Sequence, residues 1–187
     1  ITGLDTSTTY YVRAYAINAI DTSFGNVDTV TTLKAAQSII FEPISVKTYG
    51  DTVFTLSASA TSGLEVTYNS SNPDVAMVSN DSVTITGVGT TTITASQPGN
   101  ASFAAADNME QILLVDKDTV WVTAHDKSKN YGQTNPELTY NYSDFAYNED
   151  STVIDTPPEV STTATGTTNT GTAEIAISGG TDDNYTI

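Results

Sequence analysis

An all-β chain built from tandem two-sheet β-sandwich modules is the fold class that three features of the sequence predict. Thr and Ser supply more than a quarter of the residues, while the strong helix formers are scarce; β-branched and aromatic side chains suit a pleated, half-buried surface. Apolar and polar residues alternate over strand-length runs, as where Phe54, Leu56, Ala58 and Ala60 are interleaved with Thr and Ser. Gly, Asn, Asp and Pro punctuate those runs at the spacing of short strands joined by tight turns. A hydrophobic content of 38% is enough for narrow sandwich cores of about 80–100 residues each, and the regular alternation separates the chain from a disordered one of similar composition.

The elements divide into three stretches. In residues 1–33, Tyr10, Val12, Ala14 and Ala16 alternate with Tyr11, Arg13, Tyr15 and Ile17, a strand with two distinct faces; a second strand, 27–33, is expected after a turn at Phe24-Gly25-Asn26. Residues 34–117 hold strands expected at 38–41, 53–60, 66–70, 75–78, 82–88, 90–96 and 111–116, the one complete seven-strand unit. Residues 118–187 begin again with a strand at 120–124. There Lys129-Asn130-Tyr131-Gly132 echoes Lys47-Thr48-Tyr49-Gly50 at a repeat-sized offset of 82 residues. The stretch 161–170 is low-complexity Thr, Gly and Asn. The first and last modules are expected to be incomplete, the last lacking a strand after Tyr185, and Ile1 opens in mid-pattern, so the chain reads as a segment of something longer.

Charge and composition remove several function classes. Against 22 acidic residues stand only 6 basic ones, a net charge of −16, which disfavours nucleic acid and anionic membrane surfaces as partners. No cysteine is present, which rules out disulfides, thiolate metal sites and cysteine nucleophiles. No run of about 18 apolar residues offers a membrane span. The single histidine, His125, has no nucleophile elbow to serve, and one histidine without cysteine makes no ordinary zinc site; a surface role is expected of it.

Four sets of residues are the chemical candidates, each with a structural alternative. Asp116 and Asp118 straddle the boundary between the second and third stretches and present oxygen ligands of the type calcium takes, as do the clusters Asp182-Asp183-Asn184 and Asp144 with Asn148, Glu149 and Asp150; none has a calcium-loop spacing, and solvated turns are the default in so acidic a chain, so no cofactor is expected. Asp followed by Ser or Thr and then an aliphatic residue or Thr occurs five times, against about two expected from composition. The acceptors are Thr29, Thr52, Ser82, Thr119 and Ser151, and the alternative is that Asp begins turns and Thr-Val begins strands. Five Asn-x-Ser/Thr triplets, at Asn69, Asn80, Asn100, Asn141 and Asn184, form a weaker signal. Trp121 and the tyrosines Tyr140, Tyr142 and Tyr147 could form a face that stacks on a sugar ring; alternation puts Tyr140 and Tyr142 on one strand face, core packing is the alternative, and Trp121 is expected in a sandwich core.

Several of these motifs carry a resemblance. Leu4 and Tyr10, six residues apart, with Tyr-Tyr-Val-Arg-Ala-Tyr-Ala-Ile-Asn from 10 to 18, resemble the end of a fibronectin type III domain, in which the tyrosine hydroxyl closes a corner. Ser-Ser-Asn-Pro-Asp-Val-Ala at 70–76, Gly-Val-Gly-Thr-Thr-Thr-Ile-Thr-Ala at 87–95 and Gly-Asn-Ala-Ser-Phe-Ala-Ala-Ala at 99–106 are similar to bacterial immunoglobulin-like repeats of surface adhesins. Lys-Asn-Tyr-Gly at 129–132 and Asn-Pro-Glu-Leu-Thr-Tyr-Asn-Tyr at 135–142 resemble the MBG module of tyrosine-glycine type. The resemblance implies a non-enzymatic spacer segment of a very long secreted adhesin at the bacterial cell surface, serving attachment or gliding motility. It also implies export by the type IX route and glycosylation of the Bacteroidota kind. Its partners would be neighbouring repeats of the same polypeptide, surface glycans and secretion or attachment proteins. The alternatives are a carbohydrate-binding module and an accessory domain of a secreted polysaccharide-degrading enzyme.

Overall fold

The structure, a computed structural model, describes residues 2–187. The chain is all-β, with strands of two to ten residues and two short 3-10 turns. In order they are β1 (Thr9–Ile17), β2 (Thr22–Thr31), β3 (Ile39–Phe41), β4 (Lys47–Thr48), β5 (Phe54–Thr55) and β6 (Ala58–Ala60). Then come β7 (Thr67–Ser70), β8 (Ala76–Ser79), β9 (Ser82–Ile85), β10 (Gly89–Ser96), β11 (Met109–Asp116), β12 (Asp118–Thr119) and β13 (Val122–Ala124). After β14 (Tyr140–Tyr142) come the 3-10 turns Ala146–Asn148 and Ser151–Val153, then β15 (Glu159–Thr162), β16 (Ile175–Ser178) and β17 (Tyr185–Thr186). Sheet orders are β4-β11-β10-β7, β5-β9-β8, β3-β6 and four further pairs: β1-β2, β12-β17, β13-β14 and β15-β16.

Two compact units divide the residues: 1–43, 56–69 and 93–111 form one, and 44–55, 70–92 and 112–187 form the other. In the first, β1 and β2 make an antiparallel hairpin whose reversal lies at 18–21, not at Phe24-Gly25-Asn26. The Asn18 side-chain oxygen accepts from the N–H groups of Ile20 and Asp21 at 2.8 and 2.9 Å, a local turn that the short polar side chain of Asn suits. Gly25-Asn26 instead lies opposite Ala14, where the register slips between Arg13↔Val27 and Tyr15↔Phe24; the extra residue is a β-bulge, which a Gly-Asn pair marks as readily as a turn. The Tyr10 hydroxyl accepts the Asp5 N–H at 2.8 Å. The same unit buries Ile39, Phe41, Leu56, Ala60, Ile93 and Ala95. The Phe41 ring stands 5.6 Å from that of Tyr68, whose hydroxyl accepts the Ala58 N–H at 2.8 Å. Buried Gln97 is hydrogen-bonded at both ends: its oxygen accepts from Gln37 and the Gly99 N–H, and its amide nitrogen donates to the Glu65 carbonyl, as a desolvated amide requires.

The second unit buries Tyr49, Val75, Ala76, Val83, Ile85, Leu113, Val115, Val120, Ile154 and Tyr185. Alternation along β9 accounts for two of them, with Val83 and Ile85 inward and Ser82 and Thr84 outward. The apolar run 53–60 is broken at Leu56-Ser57, so that β5 pairs with β9 and β6 with β3. Trp121 contradicts its expected place in the core: it is 73% exposed, while its neighbour Val120 is 1% exposed. Successive strand side chains point to opposite faces, so burying Val120 turns Trp121 outward; its N–H and C=O are held by Ser143 at 3.0 and 2.8 Å. β17 pairs in parallel with β12, Tyr185 opposite Asp118 and Thr186 opposite Thr119. The low-complexity stretch after β15 is turned by Thr165 and Thr168, whose backbone and hydroxyl groups exchange hydrogen bonds.

Candidate functional site

The most built polar feature of the second unit is a carboxylate among tyrosines. It starts from Lys47-Thr48-Tyr49-Gly50-Asp51. Strand β4 runs parallel to the end of β11, and the Tyr49 N–H donates to the Asp116 carbonyl at 2.9 Å. The chain then turns tightly: the Asp51 N–H donates to the Thr48 carbonyl at 3.0 Å, and the Asp51 carboxylate accepts the Thr48 N–H at 3.1 Å. Gly50 has φ +95°, and a β-carbon there would lie 2.6 Å from the Ala146 Cβ. The position therefore needs glycine for both conformation and clearance.

Against this turn lies Ala146–Asn148, held by a Glu149 N–H to Ala146 C=O bond at 2.9 Å. Tyr147 and Asn148 both have positive φ, +52° and +59°, a conformation that costs on the order of 1–3 kcal/mol per residue and persists where the surroundings enforce it. Here they do. The Tyr147 hydroxyl donates to the Ile85 carbonyl at 3.1 Å. The Glu149 carboxylate accepts the Tyr49 hydroxyl on one oxygen at 3.0 Å and the Tyr185 hydroxyl on the other at 2.5 Å; Tyr185 in turn accepts the Ala146 N–H at 3.1 Å. Tyr49 is 6% exposed and Tyr185 2%. The rings form a continuous run: Tyr140 to Tyr142 at 5.4 Å, Tyr142 to Phe145 at 5.5 Å, Phe145 to Tyr185 at 5.3 Å, Tyr185 to Tyr49 at 5.5 Å and Tyr49 to Tyr147 at 5.2 Å. Most are edge-to-face, the arrangement that ring quadrupoles favour.

Electrostatics follow from this packing. The Tyr49 hydroxyl is pushed up to about 12, by burial first and then by the hydrogen bond and charge of Glu149. Tyr185 is raised by the same two causes in the same order, and burial raises Tyr147. All three phenols therefore stay protonated at neutral pH, which lets Tyr49 and Tyr185 donate to Glu149. Such an arrangement stabilises a fold; it offers no nucleophile, and the carboxylate oxygens are already engaged.

The residues singled out in the sequence are dispersed around it. Tyr140 and Tyr142 do share a face of β14, both half-buried, but their planes meet at 85° and Tyr142 packs on Phe145; the Tyr142 hydroxyl is buried without a hydrogen-bond partner among the described residues. Asp118 accepts the Thr119 N–H at 2.7 Å and donates its own N–H to the Asn184 carbonyl at 3.1 Å, while Asp116 contributes its backbone carbonyl to Tyr49. No group of three or more His, Asp or Glu side chains gathers to hold a metal among the described residues. In the other acidic clusters, Asp182 accepts the N–H groups of Asn184 and Tyr185 at 2.7 and 2.9 Å, and Asn184 accepts the Val88 N–H at 3.1 Å. Asp150 accepts from both the N–H and the hydroxyl of Thr152, which holds its carboxyl below the usual range. Thr29, Thr52, Thr119 and Ser151 are exposed and Ser82 is half-buried; their aspartates bond locally, as Asp28 does to the Thr29 N–H at 2.8 Å. His125 is exposed, with Nδ1 2.8 Å from the Thr139 hydroxyl.

Glu149, Tyr147 and Tyr185 were legible only as members of an acidic cluster, an aromatic set and a terminal pattern; their convergence on Tyr49 was not. Fold and site together define an all-β chain whose best-formed polar cluster ties backbone segments together. Residues 120–187 match the model of the MBG domain (YGX type), a non-catalytic repeat-type domain. That stretch contains Tyr131-Gly132, Glu149 and Tyr185. Comparison with curated proteins gives no match.

Proposed function

We propose that this chain is a non-enzymatic spacer segment of a very long secreted adhesin on a bacterial cell surface, acting in attachment or surface motility. Its modules would be the end of a fibronectin type III domain at 1–33, a bacterial immunoglobulin-like domain at 34–117 and an MBG-like domain at 118–187. The observation that carries the reading is the Glu149 carboxylate bridging Tyr49 and Tyr185, because it spends the most elaborate polar chemistry of the unit on joining segments far apart in the chain. In a tandem array, stability is the sum of module terms and nearest-neighbour terms, and a rigid junction of this kind keeps successive modules in line. Supporting the first module is the Asp5 N–H to Tyr10 hydroxyl bond, the corner contact that fibronectin-like domains use. The MBG match over residues 120–187 supports the last. Among the described residues no helix is long and apolar enough to cross a membrane, and the reading places the segment outside the cell with neighbouring repeats as its first partners. Surface glycans and secretion or attachment proteins are further partners, type IX export is the route, and Thr29, Thr52, Ser82, Thr119 and Ser151 are the acceptors for surface O-glycans.

The reading is tested on intact source cells. An antibody against the chain is expected to label them, and brief trypsin treatment is expected to remove that label. Labelling that requires permeabilised cells would refute the placement. Intact-mass measurement of native protein is expected to exceed the bare polypeptide; a match to the bare mass refutes glycosylation alone.

A further inference from the structure

The Tyr-Gly turn occurs twice in the second unit, once with its tyrosine buried and once with its tyrosine exposed, although at the second the Gly132 N–H is held by the Gly166 carbonyl at 2.9 Å. At the first copy, the Asp51 N–H donates to the Thr48 carbonyl at 3.0 Å and the Asp51 side chain accepts the Thr48 N–H at 3.1 Å. At the second, 82 residues on, the Gln133 N–H donates to the Asn130 carbonyl at 3.2 Å and the Gln133 side-chain oxygen accepts the Asn130 N–H at 3.4 Å. Gly50 and Gly132 have φ +95° and +85°. The local geometry is thus reproduced hydrogen bond for hydrogen bond, and the surroundings are not. Tyr49 is 6% exposed and Tyr131 67%. A β-carbon on Gly50 would meet Ala146 at 2.6 Å, whereas one on Gly132 would meet nothing within 4 Å.

A local turn could be built from many residues, and this one does not itself need glycine for clearance at its second occurrence. Its tyrosine is also a large ring left in water. Beside it lies a cleft of about 440 Å³ lined by Tyr131, Pro136, Leu138 and Ile175 with Lys127 and Lys129. Those lysines are two of only 6 basic residues in a chain of net charge −16; Lys129 donates to the Gln133 and Thr165 carbonyls at 3.1 and 2.6 Å, and its charge with that of Lys127 makes this turn a local cationic and aromatic patch on an acidic molecule. The segment covering the first turn has the complementary chemistry: the small side chain of Ala146 over the glycine, and the Glu149 carboxylate on the tyrosine hydroxyl.

We propose that Tyr131-Gly132 is the docking site for the next β-module of the same polypeptide, one that presents a small residue and, three positions later, a carboxylate. The small residue packs on Gly132, the carboxylate accepts the Tyr131 hydroxyl, and Lys127 and Lys129 favour its acidic flank. Each Tyr-Gly turn is then the coupling by which one module orders the next, and successive couplings propagate along the array. The inference rests on the tandem reading above, but its test probes the turn alone: modules strung without turn docking would leave the spacer reading intact.

The experiment extends the 187-residue chain at its C-terminus with a linker and a second copy of residues 118–187. Tyrosine nitration, located by peptide mass spectrometry, reads Tyr131 in the parent and the extended chain. Tyr131 is expected to react readily in the parent and, in the extended chain, to lose that reactivity to the level of Tyr49. Gly132→Val in the extended chain is expected to restore it while leaving the nitration pattern of the parent's other tyrosines unchanged. An extended chain in which Tyr131 remains as reactive as in the parent overturns the proposal. So does an appended copy that proteases digest while the parent portion resists, since the Tyr131-Gly132 turn then confers no order on the module after it.

Discussion

Replacing Glu149 with alanine removes the one acceptor shared by two buried phenols. In the wild-type chain, Tyr49 and Tyr185 donate to separate oxygens of that carboxylate at 3.0 and 2.5 Å, and both rings are almost wholly buried. After the substitution neither hydroxyl proton has a partner, although the Tyr185 oxygen still accepts the Ala146 N–H. Leaving a buried donor unsatisfied costs about 1–3 kcal/mol, so two of them give an expected loss of roughly 2–6 kcal/mol. Glu149→Gln keeps a single amide oxygen and is expected to lose about half as much. Urea unfolding followed by circular dichroism measures the loss as a fall in midpoint at unchanged slope. The same substitution in a Tyr49→Phe, Tyr185→Phe background isolates the shared term: with the donors gone, Glu149→Ala is expected to cost less than in the wild type by more than about 1 kcal/mol. A loss within about 0.5 kcal/mol of zero in the wild-type chain, the range of ordinary surface changes, would refute the carboxylate as the tie.

Further outcomes rest on the same geometry. Gly50→Ala and Gly132→Ala both place an L side chain at positive φ, but only the first meets Ala146; the first is expected to be more destabilising by about 1–3 kcal/mol in urea unfolding, and equal effects would show that the clearance at Gly50 is unimportant. Tyr49 and Tyr185 both have raised folded values, Tyr49 to about 12. The unfolded phenols deprotonate first, so this stabilisation is complete below about pH 10 and is lost as pH rises toward the folded values. Urea midpoints measured across that range are expected to fall, and less steeply once both tyrosines are phenylalanine. Trp121→Ser is expected to change stability by no more than about 0.5 kcal/mol, and Trp121 emission in the wild type is expected to be readily quenched by acrylamide. Chelation with EDTA is expected to leave the thermal midpoint unchanged; a fall would bring calcium at Asp116 and Asp118 back into consideration.

What the sequence made legible was whatever depends on a residue and its near neighbours. The all-β class came from alternation along runs such as 82–85, where Val83 and Ile85 are buried and Ser82 and Thr84 point outward. Most strand positions came from the same rule. Where two local rules competed, the reading failed for identifiable reasons. Gly25-Asn26 satisfies the demands of a bulge as well as those of a turn, and only the pairing of Arg13 with Val27 and of Tyr15 with Phe24 distinguishes them. Val120 and Trp121 cannot both face inward, and the larger apolar side chain is the one left in water. Glu149 was visible only as a member of the acidic cluster at 144–150, because its partners lie 100 and 36 residues away in the chain.

The two Tyr-Gly turns show the boundary between what is local and what is not. Their backbone hydrogen bonds are set by four residues and recur at 48–51 and 130–133, so the sequence announces both as the same object. Whether the tyrosine is buried is decided by Ala146, Glu149 and Tyr185, which no window around Tyr49 contains. A motif that keeps its shape whether or not it is covered is formed before its partner arrives, and preformed geometry lowers the ordering cost of association. That is why turns of the same shape can carry a buried tyrosine at 48–51 and an exposed one at 130–133. A repeated motif therefore marks where a contact can be made, and residues distant in the chain decide whether it is.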